Sequence, residues 1–469
     1  HRSRLGFMQR VCFPTTHTLL LAYLLLVHVA TTAALLGPSA GGAGRSVGRR
    51  SVLAAGVGAV AAGAPDAAQA TIGEDSQWPL WPALPVAPYS RRKTIRREIG
   101  PGVWAFDQLI GIYYVHVPIR MTVVRMESGG LFVYAPVAPT KECLALLQPL
   151  IEAHGTVRYI VLPTVAVEHK VLAGPFARAF PDAEFFVADQ QYSFPIPLPG
   201  SFLGLPRWTK PLPRSSKGLG VELWGGEFDH EVLTVKPGPG SYYQDATFYH
   251  RPSKTLLLCD SLFATGEEPP DILTSDPEYT RALLFHARDE PLELVADSPE
   301  ARRKGWRRIV LLFNFFFPGA AVADLGLGPL FRLRPYELGW AGWLPFSWRS
   351  PEAEAKAFAA YSANGKPTLL PIIQIILSRG DSGAETAAWV DKVTQWPFER
   401  VVPAHLDAPL NIGPAQFAEA FEYVRSGRNE VRFCDEDVRF LRAAEEGVLS
   451  FSVYKSKLGV LRGRAPCGL

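Results

Sequence analysis

The sequence predicts an α/β fold in which two layers of strands, built as hairpins, are covered by helices. Three observations carry this prediction. Residues 121–125 and 131–134 read as strands on either side of the turn Glu127-Ser128-Gly129-Gly130. Residues 246–250 and 255–259 repeat the arrangement around Arg251-Pro252-Ser253-Lys254. Each hairpin is followed along the chain by segments with apolar residues at helical spacing.

In chain order, residues 103–106 form a short strand ahead of the first hairpin. Residues 142–153 carry apolar residues at helical period and predict a helix. Residues 157–162 are an apolar run of the buried-strand kind. A helix over 169–180 is stopped by Pro181, and 184–188 return to strand. Residues 190–220, rich in Pro, Gly and Ser, predict a long surface loop. A strand at 231–236 leads into the second hairpin. Residues 264–300 read as irregular and acidic. Residues 305–346 are apolar and aromatic, and the run before Pro318 is too short to span a bilayer. They predict an apolar helix or hairpin buried in the domain. With Trp340, Trp343 and Trp348, the stretch 306–348 also suits peripheral contact with a membrane. Helices follow at 351–363, 368–378 and 383–395, then a strand at 400–402 and a helix at 414–425. The body therefore runs over 99–430, with 264–350 as an insertion. Residues 71–98, holding Trp78 and Trp81 among prolines, form an extended arm, and 431–469 form a tail.

Of the 469 residues, 48% are hydrophobic and 20% charged, enough apolar material for a large core. The net charge of +3 is too small to argue for nucleic acid. Much of the basic excess lies before residue 51, and no acid precedes Asp66, so the body is close to neutral. Cys12, Cys143, Cys259, Cys434 and Cys467 form no CxxC pair. The last four suggest neither a zinc cluster nor a disulfide framework, and Cys143 and Cys259 lie in apolar runs as small core residues do.

Residues 1–70 read as a cleavable, multipartite targeting region. Arg10 precedes the apolar run 18–34, which exits into small residues as a secretory signal does. An acid-free Gly/Ser/Arg stretch follows, of transit-peptide type. Arg49-Arg50 then leads a mild Ala/Gly/Val run to Ala68-Gln69-Ala70, in the manner of a twin-arginine signal. Three signals in series point to a plastid reached through the secretory route, with the thylakoid lumen as the further destination.

Four polar residues stand at the boundaries of predicted strands: His169, Asp245, Asp260 and His405. Imidazole and carboxylate groups converging at strand ends suit Zn²⁺ or a similar divalent transition metal. Such an ion makes hydroxide available near neutral pH. Arg120, at the start of a buried strand, suits an anionic substrate group, or an ion pair at the sheet edge.

The segments IGPGVWAFDQ, VPIRMTVVRMESGGLFVYAPV, VRYIVLPTVAVEHK, DATFYHRPSKTLLLCDSLF and ERVVPAH, in this order, resemble the metallo-β-lactamase superfamily. More closely, the chain resembles a plastid and cyanobacterial domain family of unknown function distantly related to it, over about residues 90–430. The resemblance implies a four-layer αββα sandwich. It also implies that Asp260 stands at the acid that bridges two metals and His405 at the last histidine. The superfamily's H-x-H-x-D-H motif is depleted here: aligned on His169, its earlier histidines are replaced by Thr164 and Ala166, and its aspartate by Glu168. The Gly/Pro turn KPGPGSYYQD also lacks the expected histidine. A two-metal site wants roughly six or seven ligands, whereas one ion needs about three and an open position. His169, Asp260 and His405 make such a set, with Asp245 as a further ligand candidate.

Each residue has a plainer reading. His169 and Glu168 suit a helix start, and Asp260 suits an Asp-Ser-Leu turn. Two functions follow. One is a non-catalytic protein that kept a degenerate metallo-β-lactamase-like fold and lost the metal, binding a small molecule or a thylakoid protein; the balance of lost ligands favours it. The alternative is a mononuclear metal-dependent hydrolase of a small ester or thioester, with Glu168 as proton acceptor.

Overall fold

The structure, a computed structural model, describes residues 92–112, 114–191, 200–216, 223–238, 241–313, 319–323, 344, 346–378, 381–426 and 433–439. The predicted leader, Trp78 and Trp81 of the arm, Trp340, Trp343 and most of the tail lie outside them.

Seven strands form the first sheet, in spatial order β1 (Ile95–Gly100), β2 (Val103–Ile112), β3 (Val115–Arg125), β4 (Leu131–Tyr134), β5 (Val157–Leu162), β6 (Glu184–Val187) and β7 (Lys210–Pro211). Pairing is antiparallel as far as β4 and parallel beyond it. The change falls where a helix, α1 (Lys141–His154), replaces a tight turn as the connection. Thr140 caps that helix by accepting from the Cys143 amide at 3.1 Å. A second crossover helix, α2 (Val167–Ala179), leads from β5 to β6. The other sheet holds β8 (Phe228–Gly238), β9 (Ser241–His250), β10 (Thr255–Leu258) and β13 (Arg400–Pro403), ordered β13-β10-β9-β8, with β10 and β13 parallel. A small antiparallel pair, β11 (Ala321–Ala323) and β12 (Phe346–Trp348), stands apart.

Strand alternation divides the interior into layers. Leu131 and Val133 of β4 face α1 and α2, whereas Phe132 and Tyr134 face the other sheet. Likewise Leu257 and Cys259 enter the space between sheets, whereas Leu256 and Leu258 face helices on the far side. Those helices include α5 (Pro299–Leu312), α6 (Pro351–Tyr361), α7 (Pro371–Ser378) and α8 (Ser382–Val393). The result is the expected αββα sandwich, closed by α9 (Pro414–Ala420) and α10 (Glu422–Ser426). Both faces of each sheet are buried, so many strands read as continuous apolar runs.

The stretch 264–300 departs from the irregular reading. It contains α3 (Asp271–Thr274), α4 (Pro277–Ala287) and the start of α5. Asp276 caps α4 through the Glu278 amide at 2.9 Å, Pro277 fills the first turn, and Ala282, Leu283 and Phe285 are buried. Acidic residues on the exposed surface hid this apolar face from a compositional reading. α4 meets α5 closely: a Cβ on Gly305 would stand 1.9 Å from the Leu283 carbonyl oxygen. Trp306, Ile309, Val310 and Leu311 of α5 are buried, as the burial reading of this stretch expects. Among the described residues no helix is long and apolar enough to cross a membrane. Residues 95–98 of the expected arm belong to β1.

One cysteine expectation is corrected. Cys434 is disulfide-bonded, while Cys143 and Cys259 are free. Spacing along the chain does not report which cysteines meet in space.

Burial pushes His116 of β3 down to about 3, with Arg92 adding to the effect, and pushes His250 of β9 down to about 4 against the pull of Glu227. Both are therefore neutral in the folded state and take up protons on unfolding below about pH 6.5. Stability falls as pH drops through this range toward the folded-state values. Between pH 7 and pH 5 each histidine costs about 2 kcal/mol. His116→Gln is expected to remove about that much of the acid loss, read as the change in urea midpoint between the two pH values. An unchanged pH dependence would refute the assignment to His116.

Candidate functional site

The strands that carry the expected residues end at one edge of the sandwich. β10 and β13 run parallel and in register, Leu258 opposite Pro403, so the residues after them emerge side by side. β5 of the other sheet reaches the same edge, where Thr164 bridges to Asp245 and the Ala246 amide donates to Pro163 O at 2.8 Å. The first turn of α2 then brings Glu168 and His169 over the strand ends. α2 approaches closely because Gly174 faces the Gly204 carbonyl, where a Cβ would stand 2.1 Å from the oxygen.

His169, Asp260 and His405 converge. The two imidazole Nε2 atoms are 3.0 Å apart. Asp260 Oδ1 lies 3.4 Å from His405 Nε2 and 3.9 Å from His169 Nε2. Cys259 Sγ stands 3.3 Å from His169 Nε2. Glu168, Asp260 and His405 form an overlapping group whose ligand atoms lie within 4.8 Å of one another. Both histidines are buried, and the Asp260 side chain is 10% exposed. The Phe313 ring lies against His405, with centroids 5.9 Å apart.

The tautomer of His405 is set from outside the cluster. Its Nδ1 lies 2.9 Å from the Pro118 carbonyl, which can only accept, so Nδ1 carries a proton and Nε2 is turned to the cluster. His169 Nδ1 is buried and makes no hydrogen bond with the described residues. Burial pushes His169 down to about 3 against the pull of Asp260. Burial opposes charge on His405 as well, but Asp260 and Glu168 outweigh it and the pKa rises. Burial also acts against Asp260, yet His405, His169 and the Thr164 hydroxyl hold it down at about 2. Glu168 is raised, first by burial and then by Asp260.

These residues fit a single ion. Donors about 2.0–2.3 Å from one tetrahedral centre lie roughly 3.3–3.8 Å from each other, and the separations here span 3.0–3.9 Å. Thr164, where the superfamily motif has a histidine, donates its hydroxyl to Asp260 Oδ2 at 2.9 Å, so it orients that carboxylate. Ala166 supplies no donor and Val165 none, and neither is buried.

Two expected site residues have other tasks. Asp245 turns both carboxylate oxygens away from the cluster: Oδ1 accepts from the Cys259 amide at 3.0 Å, and Oδ2 from the amides of Asp260 and Ser261 at 2.8 and 2.7 Å and from Ser261 Oγ at 2.6 Å. It holds the loop that presents Asp260 and is not placed as a ligand. Arg120 is closed to an anionic substrate. Its Nε pairs with Asp107 at 2.7 Å, and its two terminal nitrogens donate to the carbonyls of Pro403 and Leu406 at 2.7 and 2.9 Å. It holds the loop that presents His405. Cys259 was missed as a site residue because the apolar run before it reads as core; its place directly before a strand-end aspartate was the available signal.

The sequence profile described as Domain of unknown function (DUF4336) matches residues 101–423. The chain belongs to that family. All the converging residues fall inside the matched region. No curated protein matches the sequence. Among solved structures, the metal-soaked Flv1 flavodiiron core from Synechocystis sp. PCC6803 is similar at 11% identity and a TM-score of 0.34, over 72% of this chain and 62% of that one. The DIM-1 metallo-β-lactamase matches at 8% identity and a TM-score of 0.35, over 72% of this chain and 99% of that one. A metallo-β-lactamase from Hirschia baltica matches at 9% identity and a TM-score of 0.34, over 71% and 97%.

Proposed function

We propose that this chain, in the plastid to which its leader points, is a binding protein with a degenerate metallo-β-lactamase-like fold that holds one divalent transition-metal ion. His169, Asp260 and His405 would hold the ion. The observation that supports this reading most is the approach of two imidazole nitrogens to 3.0 Å beside a buried carboxylate. Lone pairs so placed repel one another unless a proton or a cation lies between them. A bound ion supplies Lewis acidity and eases the ionisation of water. The protein's part is to orient the donors through Pro118, Thr164, Arg120 and Asp245 and to keep bulk water away. A two-ion hydrolase does not suit this donor set, because Asp245 is committed to the loop and Thr164 and Ala166 replace histidines.

A second reading, hydrolysis of a small ester or thioester with one ion, rests on Glu168. Its carboxylate borders Asp260 and His405, and burial with the charge of Asp260 raises its pKa, which makes it a more basic proton acceptor than an ordinary carboxylate.

Metal content tests the proposal. The full chain, expressed and dialysed, is expected to retain close to one transition-metal ion per molecule, and the His169→Ala, His405→Ala double variant close to none. Metal-free wild type that is well folded and stays empty after incubation with zinc would overturn it. The metal-loaded protein should also leave p-nitrophenyl acetate and acyl-thioesters unhydrolysed. Turnover lost in Glu168→Gln would favour the second reading instead.

A further inference from the structure

We infer that Cys259 is a fourth donor to the same ion, bound through its thiolate sulfur, so that the site takes a thiophilic metal such as Zn²⁺ or Co²⁺ and not Mg²⁺ or Ca²⁺. This inference rests on the one-ion reading. Its first support is position. Cys259 Sγ lies 3.3 Å from His169 Nε2, on the atom that also faces His405 Nε2 at 3.0 Å and Asp260 Oδ1 at 3.9 Å. One imidazole ring nitrogen makes one good hydrogen bond, not three. A sulfur, a nitrogen and a carboxylate oxygen gathered around the same ring atom are better accounted for by a cation among all four.

The second support is how the thiol is held. The Cys259 amide donates to Asp245 Oδ1 at 3.0 Å, and its carbonyl accepts from the Ala404 amide at 3.3 Å, next to His405. Cys259 is thus tied to the brace of its own loop and to the loop that presents a histidine. The other free thiol is a useful contrast. Cys143 is equally buried, but it lies in the apolar cluster that also holds Leu147, Leu150 and Leu172. A cysteine that only fills core space needs surroundings like those of Cys143.

Chemistry then narrows the ion. Thiolate selects borderline or soft cations, and hard cations prefer all-oxygen sites. On binding, the S–H bond breaks, the proton passes to solvent and sulfur donates its electron pair to the ion, with no change of oxidation state. Two histidines, one aspartate and one cysteine complete a tetrahedral set, which is the composition of a closed site and not of one with an open position. The inference therefore favours binding over hydrolysis.

The test is cobalt substitution of the full chain. Stripped protein titrated with Co²⁺ is expected to show a near-ultraviolet thiolate-to-cobalt charge-transfer band that saturates at one equivalent. Cys259→Ser should lose the band and weaken cobalt binding by about tenfold or more, while Cys143→Ser keeps both. Should Cys259→Ser fail to fold, protection of the wild-type Cys259 thiol from iodoacetamide by Zn²⁺ but not Mg²⁺ serves instead. Stoichiometric cobalt binding without the band, or alkylation unaffected by Zn²⁺, would show that Cys259 is not a ligand and leave the one-ion reading standing. Failure to bind cobalt or zinc at all would overturn both together.

Discussion

Arg120→Met is expected to destabilise the protein by about 3–5 kcal/mol and to release the loop that carries His405. The Arg120 guanidinium is 2% exposed and meets three acceptors at once: Asp107, Pro403 O and Leu406 O. The backbone adds to this, because the Arg120 amide donates to Ala404 O at 2.8 Å and Ile119 bridges to His405. Methionine fills much of the volume but leaves Asp107 buried with Arg97, which is 35% exposed, as its remaining ionic partner among the described residues. It also removes the side-chain donor to two buried carbonyls. One of them belongs to Leu406, held at φ +57, a left-handed conformation that costs a branched residue energy and needs fixed neighbours. Arg120→Lys should not rescue, since an ammonium cannot reach a carboxylate and two diverging carbonyls with fork geometry. Adding Asp107→Asn to Arg120→Met should recover part of the loss, as it removes the stranded charge. The measurement is the urea midpoint of each variant. A loss below about 1 kcal/mol would mean that the strand bridge alone holds the loop.

This dependence bears on what could be read from the sequence. The hairpins were legible because turn residues punctuate apolar runs, and β5 and α1 because their periods are clean. His169, Asp260 and His405 were legible because each follows a strand, and sheets present side chains at strand ends. The residues that fix them were not. Arg120 reaches carbonyls 283 and 286 residues away, and nothing local in the strand reports that its charge meets a particular loop. Asp245 was read as a ligand because an acid beside a strand has the right chemistry. Only the closure of β9 against β10 shows its oxygens turned to three amides. Helices α3 and α4 were hidden for a related reason: an amphipathic face one to three turns long carries little periodicity, and surface acids dominate composition. The sequence pattern thus reports elements and exits, whereas the second layer of contacts depends on pairings far apart along the chain.

Asp245→Ala is the complementary perturbation, acting on the loop that presents Cys259 and Asp260. Alanine removes the acceptor of three backbone amides and one hydroxyl in a buried environment. Each stranded N–H costs about 1–3 kcal/mol, so a loss of roughly 3–5 kcal/mol follows after some relaxation. Asp245→Asn is expected to be intermediate, because its amide keeps one acceptor oxygen but turns an NH₂ toward N–H donors. The Asn variant is the informative one for the site. If it folds, Asp260 and Cys259 remain present but the loop that aims them is loosened, and metal retention should fall even though no proposed donor has been removed. Zinc affinity of Asp245→Asn, measured beside its urea midpoint, separates the two effects. Weaker zinc binding with a modest change in midpoint places Asp245 as the positioning residue of the site. Unchanged binding would show that Thr164 and the β10–β13 register aim Asp260 without it.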